Sequence, residues 1–175
     1  MLLTYDDIPL SGGPALVSAP GFIEQGFQFS LNMVAIDLST VSGAGTGFAA
    51  LNDYNGPITI TEANGSAFSF TNTMMKGWNT QTTGGTITGY MNGQPIGSMD
   101  FAVLGPDAGG GRPIAYWSMI SPDFSYVTSI VINGTAPLLL TSTQVGPAVS
   151  EPATAVLLAI GLLAAMWFNR RVVWP

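Results

Sequence analysis

Asn-Gly pairs set between short runs of strand-forming residues constrain this chain more than any other feature of its sequence. Ile and Thr alternate before Asn64-Gly65, and Phe and Ser alternate after it. A second pair, Asn92-Gly93, is flanked by similar runs. Asn-Gly favours positive φ at both central residues of a two-residue turn. The sequence therefore predicts a β-hairpin around each pair.

Turn-forming residues continue along the chain and predict its fold class. The 175 residues include 22 glycines and 12 prolines, too many for long helices. Residues 127–132 predict a further strand, and about eight to ten short strands at this spacing are typical of an antiparallel β-sandwich or jelly roll. We expect this all-β domain to cover residues 1–136. Small polar residues and prolines then predict a flexible linker over residues 137–149.

The residue types that are missing narrow the function classes. The sequence has no Cys and no His, which removes disulfides, Cys/His zinc sites and nucleophiles activated by histidine. It has 4 Lys+Arg against 10 Asp+Glu, without the clustered basic residues that nucleic acids require. We therefore expect no nucleic-acid partner. Any enzyme here has to work with carboxylates, tyrosine, Lys76 or Arg112.

The C-terminal residues have the polarity of a membrane-inserted helix. Residues 153–168 carry no charge and are followed closely by Arg170 and Arg171. A core helix is the alternative, but a helix that is apolar on every face lacks the polar side that a small domain needs at its surface. With snorkelling arginines the segment can span or nearly span a bilayer, and the positive-inside rule places the domain outside. We expect a transmembrane helix over residues 153–169.

Glu-Pro stands directly before this helix, and the arrangement resembles the PEP-CTERM sorting signal of exported proteins of Gram-negative bacteria. That signal is a Pro-Glu-Pro motif, a transmembrane helix and a cluster of arginines. In this chain it covers residues 150–175. The matching residues are Ser150, which replaces the first proline, then Glu151, Pro152, Arg170 and Arg171.

This resemblance implies a route and three partners. Exosortase, an integral membrane processing enzyme, removes the helix, so the protein resides in the inner membrane before processing and at the cell surface or outside the cell afterwards. The implied partners are exosortase, the membrane and exopolysaccharide. A permanent anchor is one alternative, and a tail anchor with the domain in the cytoplasm is another. Residues 1–20 lack the charged and apolar regions of a signal peptide. For an exported protein, we therefore expect a signal peptide to be encoded upstream of Met1.

The body of the chain is similar to the galactose-binding-like β-sandwich domains that often precede such tails. The similarity rests on "LTYDDIP" at residues 3–9, "KGWNT" at residues 76–80 and "TITGYMNGQPIGSMDF" at residues 86–101. It implies a fold and an arrangement of domains, and it names no ligand.

Two sets of residues are candidate binding sites. Tyr116 and Trp117 are candidate glycan contacts, since aromatic rings stack on the apolar face of sugars and adjacent strand residues point to opposite sides; core packing is the alternative. Asp6 and Asp7 are candidate calcium ligands, because calcium takes hard oxygen ligands, or else solvated acids at a strand end. We expect no other cofactor. The aromatic residues considered for a sugar-stacking platform are Tyr54, Trp78, Tyr90, Tyr116 and Trp117.

Taken together, these features predict a structural or adhesive protein of an exopolysaccharide-rich envelope or biofilm matrix, without enzymatic activity. A surface carbohydrate-binding module with a defined ligand is the first alternative. A carboxylate-based glycoside hydrolase is the second, because Glu24 and Glu62 are available as a pair of acids.

Overall fold

The chain folds into thirteen β-strands and one short 3-10 helix, Leu38–Thr40, within the residues that the structure describes. This computed structural model describes residues 1–11, 18, 20–40, 46–52, 56–78, 83–105 and 117–148. In chain order the strands are β1 (Leu2–Leu3), β2 (Ile23–Glu24), β3 (Phe27–Phe29), β4 (Met33–Asp37), β5 (Phe48–Asn52), β6 (Ile58–Glu62), β7 (Phe68–Gly77), β8 (Thr83–Met91), β9 (Gln94–Val103), β10 (Ser118–Ile120), β11 (Phe124–Val127), β12 (Ser129–Gly134) and β13 (Leu138–Pro147).

The strands form two antiparallel sheets. The first sheet has the order β10-β7-β13-β5-β4, and in addition β1 pairs with β13 and β11 pairs with β7. The second sheet has the order β2-β3-β6-β12-β8-β9. One buried cluster draws its apolar side chains from both sheets, so the sheets pack face to face as a β-sandwich. The all-β antiparallel fold class predicted from the sequence is confirmed.

Alternation along β6 and β12 builds the centre of the core. Ile58 and Ile60 on β6 lie opposite Ile132 and Ile130 on β12, and all four are fully buried. The ring of Phe27 from the second sheet meets the ring of Phe68 from the first edge-on, with centroids 5.1 Å apart. Residues between the inward positions point away from the core, as the pleat requires.

The Asn92-Gly93 hairpin is confirmed. Met91 pairs with Gln94, and both central residues have positive φ, +49° at Asn92 and +80° at Gly93. Positive φ at both positions matches the right-handed twist of the flanking strands β8 and β9. An irregularity in register between Gly89 and Tyr90 follows a few residues further along the ladder.

The Asn64-Gly65 hairpin prediction is wrong, although the strands on both sides were predicted. β6 belongs to the second sheet and β7 to the first, so the chain crosses the sandwich here. Only Gly65 of the pair has positive φ, at +78°, and the N–H of Ser66 donates to Asn64 Oδ1 at 2.7 Å. The physical reason is burial, since the apolar sides of β6 and β7 face each other across the core rather than sharing one sheet.

The flexible linker predicted over residues 137–149 is also wrong. β13 occupies most of it and lies between β7 and β5 in the first sheet. Leu138, Leu139 and Leu140 are buried because this strand is covered on both faces. The folded domain therefore extends beyond residue 136. The two prolines that suggested a linker flank the strand or end it.

The described residues include no helix long and apolar enough to cross a bilayer. The predicted transmembrane segment at residues 153–169 and the sorting motif that begins at Ser150 lie outside the described residues.

Candidate functional site

The outer faces of the two sheets differ most where β4 and β5 end the first sheet, although further along this sheet the Asn72 and Gln144 side chains form an exposed polar pair. On the first sheet the outward side chains of β4, β5 and β13 form a second apolar cluster, which is buried although it lies outside the sandwich core. Trp78 and Trp117 pack against it. The buried members of this outer cluster are Val34, Ile36, Leu38, Ala49, Leu51 and Leu139.

The outer face of the second sheet is polar and partly or fully exposed. Its side chains carry hydroxyl groups on neighbouring strands, with one carboxylate towards the β9 edge. We call this surface the hydroxyl face. It is built from Gln28 on β3, Thr59 and Thr61 on β6, Ser129, Val131 and Asn133 on β12, Thr86, Thr88 and Tyr90 on β8, and Ser98 and Asp100 on β9.

Strand register arranges the hydroxyl face in rows. Neighbouring strands are about 4.8 Å apart, and successive outward residues on a strand are about 6.6 Å apart. Row one consists of Gln28, Thr61, Ser129 and Tyr90, each directly opposite the next. Row two consists of Thr59, Val131, Thr88 and Ser98, paired in the same way.

A shallow cleft of about 150 Å³ lies where row one begins. Leu31 is 78% exposed and forms an apolar wall of this cleft. Ser30 Oγ accepts the N–H of Thr59 at 3.0 Å and donates to Asn32 Oδ1 at 2.5 Å, so the segment between β3 and β4 is held against β6. The lining residues are Gln28, Phe29, Ser30, Leu31, Thr59 and Thr61.

Accessible charged side chains in the described part of the chain are carboxylates. Lys76 is the single lysine or arginine there, and its side chain is only 5% exposed. Its ammonium lies 4.7 Å from the centroid of the Trp117 ring, and burial lowers the pKa of Lys76. The hydroxyl face therefore has no accessible lysine or arginine from the described residues beside it.

Of the two predicted aromatic contacts, the structure describes Trp117 alone. Trp117 is half-buried against the apolar cluster of the first sheet, with Lys76 over its ring, and so it is not on the hydroxyl face. Tyr116 lies outside the described residues. The half-exposed aromatic ring of the hydroxyl face belongs to Tyr90. The repeated Thr-Ile-Thr of residues 59–61 and 86–88 is the sequence signal that could have identified this surface.

Two acids near the N-terminus affect the pKa of a buried carboxyl group. Glu24 is 2% exposed, and its Oε1 accepts the N–H groups of Thr4 at 2.8 Å and Tyr5 at 2.9 Å. Its Oε2 is buried without a hydrogen-bond partner. Burial raises the pKa of Glu24 despite the two backbone hydrogen bonds, and the charges of Asp6 and Asp7 raise it further.

The calcium site stays a prediction. Asp6 accepts a hydrogen bond of 2.5 Å from the hydroxyl of Thr4. Among the described residues, no three Asp or Glu side chains lie close enough together to hold a metal ion. Asp6 and Asp7 are exposed, as expected of acids at a strand end.

The two glutamates considered for hydrolysis share one row with a phenylalanine between them. Glu24 pairs with Phe27, and Phe27 pairs with Glu62, so the glutamates are two strands apart. Phe27 is 4% exposed and packs on Phe68. Its ring occupies the space that a substrate between two carboxylates requires. The hydrolase alternative stays a prediction.

Comparison with known proteins supports the fold alone. No protein-family model and no curated protein matches the sequence. A crystal structure of a DUF4465 family protein from Bacteroides caccae is similar, with a TM-score of 0.52 at 8% sequence identity. The match covers 83% of this chain and 97% of that one. The described body thus has the architecture of a known β-sandwich protein at an identity too low to carry over a function.

Proposed function

We propose that this chain is an exported bacterial protein of the cell surface or extracellular matrix, with a structural or adhesive role in contact with exopolysaccharide. The observation that carries the proposal is the contrast between the two outer faces. The apolar part of the outer face of the first sheet is buried, whereas the face made of hydroxyl groups on the second sheet is open. An open, nearly uncharged surface of hydroxyls suits a hydrated and neutral polymer.

Hydroxyl groups suit polysaccharides because each one can both donate and accept a hydrogen bond. Thr59, Thr61, Thr86 and Thr88 present β-branched side chains whose rotamers are restricted, so ordering them costs little entropy. Many weak contacts repeated along a polymer give attachment through multivalency, without a deep pocket.

The route to this location rests on the resemblance of residues 150–175 to PEP-CTERM signals. Glu151 and Pro152 precede an apolar run, and Arg170 and Arg171 follow it. In the proposed pathway the helix inserts in the inner membrane, exosortase removes it, and the sandwich is released to the surface or matrix. Residues 137–147 belong to the folded domain, so the tether before the signal is short.

Expression in an exosortase-containing Gram-negative host, with a signal peptide supplied, tests this route. We expect the protein in surface and matrix fractions, with a mass that lacks residues 153–168. The matched control is the same strain without exosortase, in which the full-length form should remain in the inner membrane. Two outcomes would contradict the proposal. One is full-length protein of the same mass in the strains with and without exosortase, and the other is a domain found in the cytoplasm.

A further inference from the structure

We infer that row one is a binding site for a linear neutral glycan, which lies across the strands from the cleft at Leu31 to the ring of Tyr90. This inference rests on the proposed function and names the surface and the polymer class involved. It replaces Tyr116 and Trp117, suggested by the sequence, with residues of the second sheet.

The length of row one suits an oligosaccharide segment. Gln28, Thr61, Ser129 and Tyr90 stand on four neighbouring strands, so the row covers three strand spacings, about 14 Å. Thr61 and Ser129 in the middle are small and half-buried. A chain can therefore approach the sheet closely along this line while its hydroxyls exchange hydrogen bonds with those of the protein.

Both ends of the row offer apolar contact. At one end the exposed side chain of Leu31 walls the cleft, which also contains Gln28 and Thr61. At the other end Tyr90 is half-exposed beside Pro95, its partner on β9. Sugar rings have apolar C–H faces that pack on aromatic and aliphatic side chains, and the phenol hydroxyl of tyrosine adds a hydrogen-bonding group. Apolar contacts at the ends with polar groups between them match a chain of sugar rings.

The charge on the hydroxyl face favours a neutral polymer over an acidic one. Asp100 lies on β9 at the edge of the hydroxyl face, and Glu62 ends β6 next to Thr61 but on the opposite side of the strand. The described residues supply no accessible lysine or arginine to offset these carboxylates, because Lys76 is buried on the other sheet. Polymers rich in uronate or phosphate are repelled by such a surface, whereas uncharged glycans are not.

Binding by the full-length protein in mild detergent tests the inference. The probes are neutral polymers (β-glucan, mannan, xylan and galactan) and two acidic ones (alginate and polygalacturonate). We expect at least one neutral polymer to bind, and we expect the acidic polymers to bind more weakly than it does at low salt. Tyr90→Ser and Leu31→Ser should each weaken binding about tenfold or more, a loss of about 1.4 kcal/mol. Tyr90→Phe should retain most of the affinity.

Matched variants control for loss of exposed apolar surface. Tyr126→Ser and Leu104→Ser remove side chains that are 40% and 60% exposed outside row one, and binding should not change. Unchanged thermal melting of every variant establishes that folding is intact. Absence of binding to any neutral polymer, equal binding to the acidic ones, or row variants that bind like the wild type would overturn the inference.

The outcomes separate this inference from the proposed function. A protein that reaches the surface and is processed, but whose row variants bind normally, contradicts row one as the site and leaves the proposed export standing. A protein that binds neutral glycan through row one but stays in the cytoplasm contradicts the proposed export and leaves the site standing.

Discussion

The backbone N–H of Tyr5 donates a hydrogen bond of 2.9 Å to Oε1 of Glu24, and so ties the segment after β1 to β2. Thr4 donates to the same oxygen at 2.8 Å. The other oxygen of this carboxyl group is buried without a partner. A group held in this way favours its neutral form, since burial penalises the charge more than the two hydrogen bonds offset it.

The stability of the domain should therefore depend on the protonation of Glu24. Its pKa in the folded state is raised above the ordinary value of a glutamate, chiefly by burial. Protonation then favours the folded state, so this contribution is fully present below the ordinary pKa and is lost as the pH rises through the raised one. In Glu24→Gln we expect this part of the pH dependence of the free energy of unfolding to disappear. Denaturant titrations from about pH 4 to pH 8 measure it.

Glu62→Gln is the matched control for Glu24→Gln. It removes one carboxylate at the half-buried end of β6, away from the contacts of Glu24. Because this variant leaves the hydrogen bonds of Glu24 in place, the part of the pH dependence that belongs to Glu24 should remain in it. A Glu24→Gln profile that runs parallel to that of the wild type would mean that Glu24 does not titrate differently in the folded and unfolded states.

A second prediction concerns the buried hydroxyl of Tyr5. Its oxygen lies 2.7 Å from Thr143 Oγ1, which is in turn 2.8 Å from Thr73 Oγ1. Tyr5→Phe removes one hydrogen bond but leaves Thr143 with Thr73, so we expect a loss of about 1 kcal/mol in the free energy of unfolding. Tyr126→Phe, at an exposed position, should cost nothing measurable.

A double-mutant cycle with Thr143→Val identifies the source of that loss. If the Tyr5 hydroxyl acts through Thr143, Tyr5→Phe should cost much less when Thr143 is already valine. Equal costs in both backgrounds would locate the effect in packing around the ring, which meets Phe22 and Phe29 edge-on.

Two adjacent glycines on β8 should differ sharply in their tolerance of a methyl group. A Cβ at Gly85 would collide with the backbone carbonyl oxygen of Asn133 on β12, whereas at Gly84 the first neighbour is the carbonyl oxygen of Phe101 at 3.6 Å. Backbone atoms cannot move aside cheaply within a sheet. We expect Gly85→Ala to cost about 3 kcal/mol and Gly84→Ala to remain within about 1 kcal/mol of the wild type, as measured by denaturant unfolding. Equal stabilities would show that β12 can shift away from β8.

Processing of the tail should respond to the residue that departs from the sorting motif. Ser150 stands where PEP-CTERM signals have their first proline. Given the proposed exosortase pathway, Ser150→Pro should increase the fraction of protein that lacks the C-terminal helix, and Pro152→Ala should decrease it. The ratio of the two masses in surface and membrane fractions measures this. A ratio that neither substitution changes would argue against recognition of residues 150–152.

The Asn-Gly pairs show how far local sequence determines this fold. The same dipeptide makes a hairpin at Asn92-Gly93 and a crossing between sheets at Asn64-Gly65. The strands beside both pairs were predictable, because alternation marks which side chains are buried. Their pairing was not, because it depends on contacts between residues far apart in the chain. The hidden strand β13 illustrates the same limit, since its prolines and small polar residues looked like a linker.

The candidate site was predictable only in part. Alternation in the sequence is enough to infer that Thr59 and Thr61 point to one side of their strand, and likewise Thr86 and Thr88. β12 lies between the two Thr-Ile-Thr segments and joins them into one surface. This arrangement could not be predicted, because it depends on the register of strands that are far apart in the chain. The environment of Trp117 also could not be predicted, since it is set by Lys76 and by the apolar cluster of β4, β5 and β13.

The central position of β13 has a mechanical consequence. This strand is hydrogen-bonded to β7 on one side and to β5 and β1 on the other, and it is the last strand before the proposed tether. A pull on the tether along the strand direction loads the hydrogen bonds of these ladders together, in shear, instead of opening them one after another. Until the helix is removed in the proposed pathway, a pull on the membrane-held tether would therefore be shared by the ladders of β13 with β7, β5 and β1.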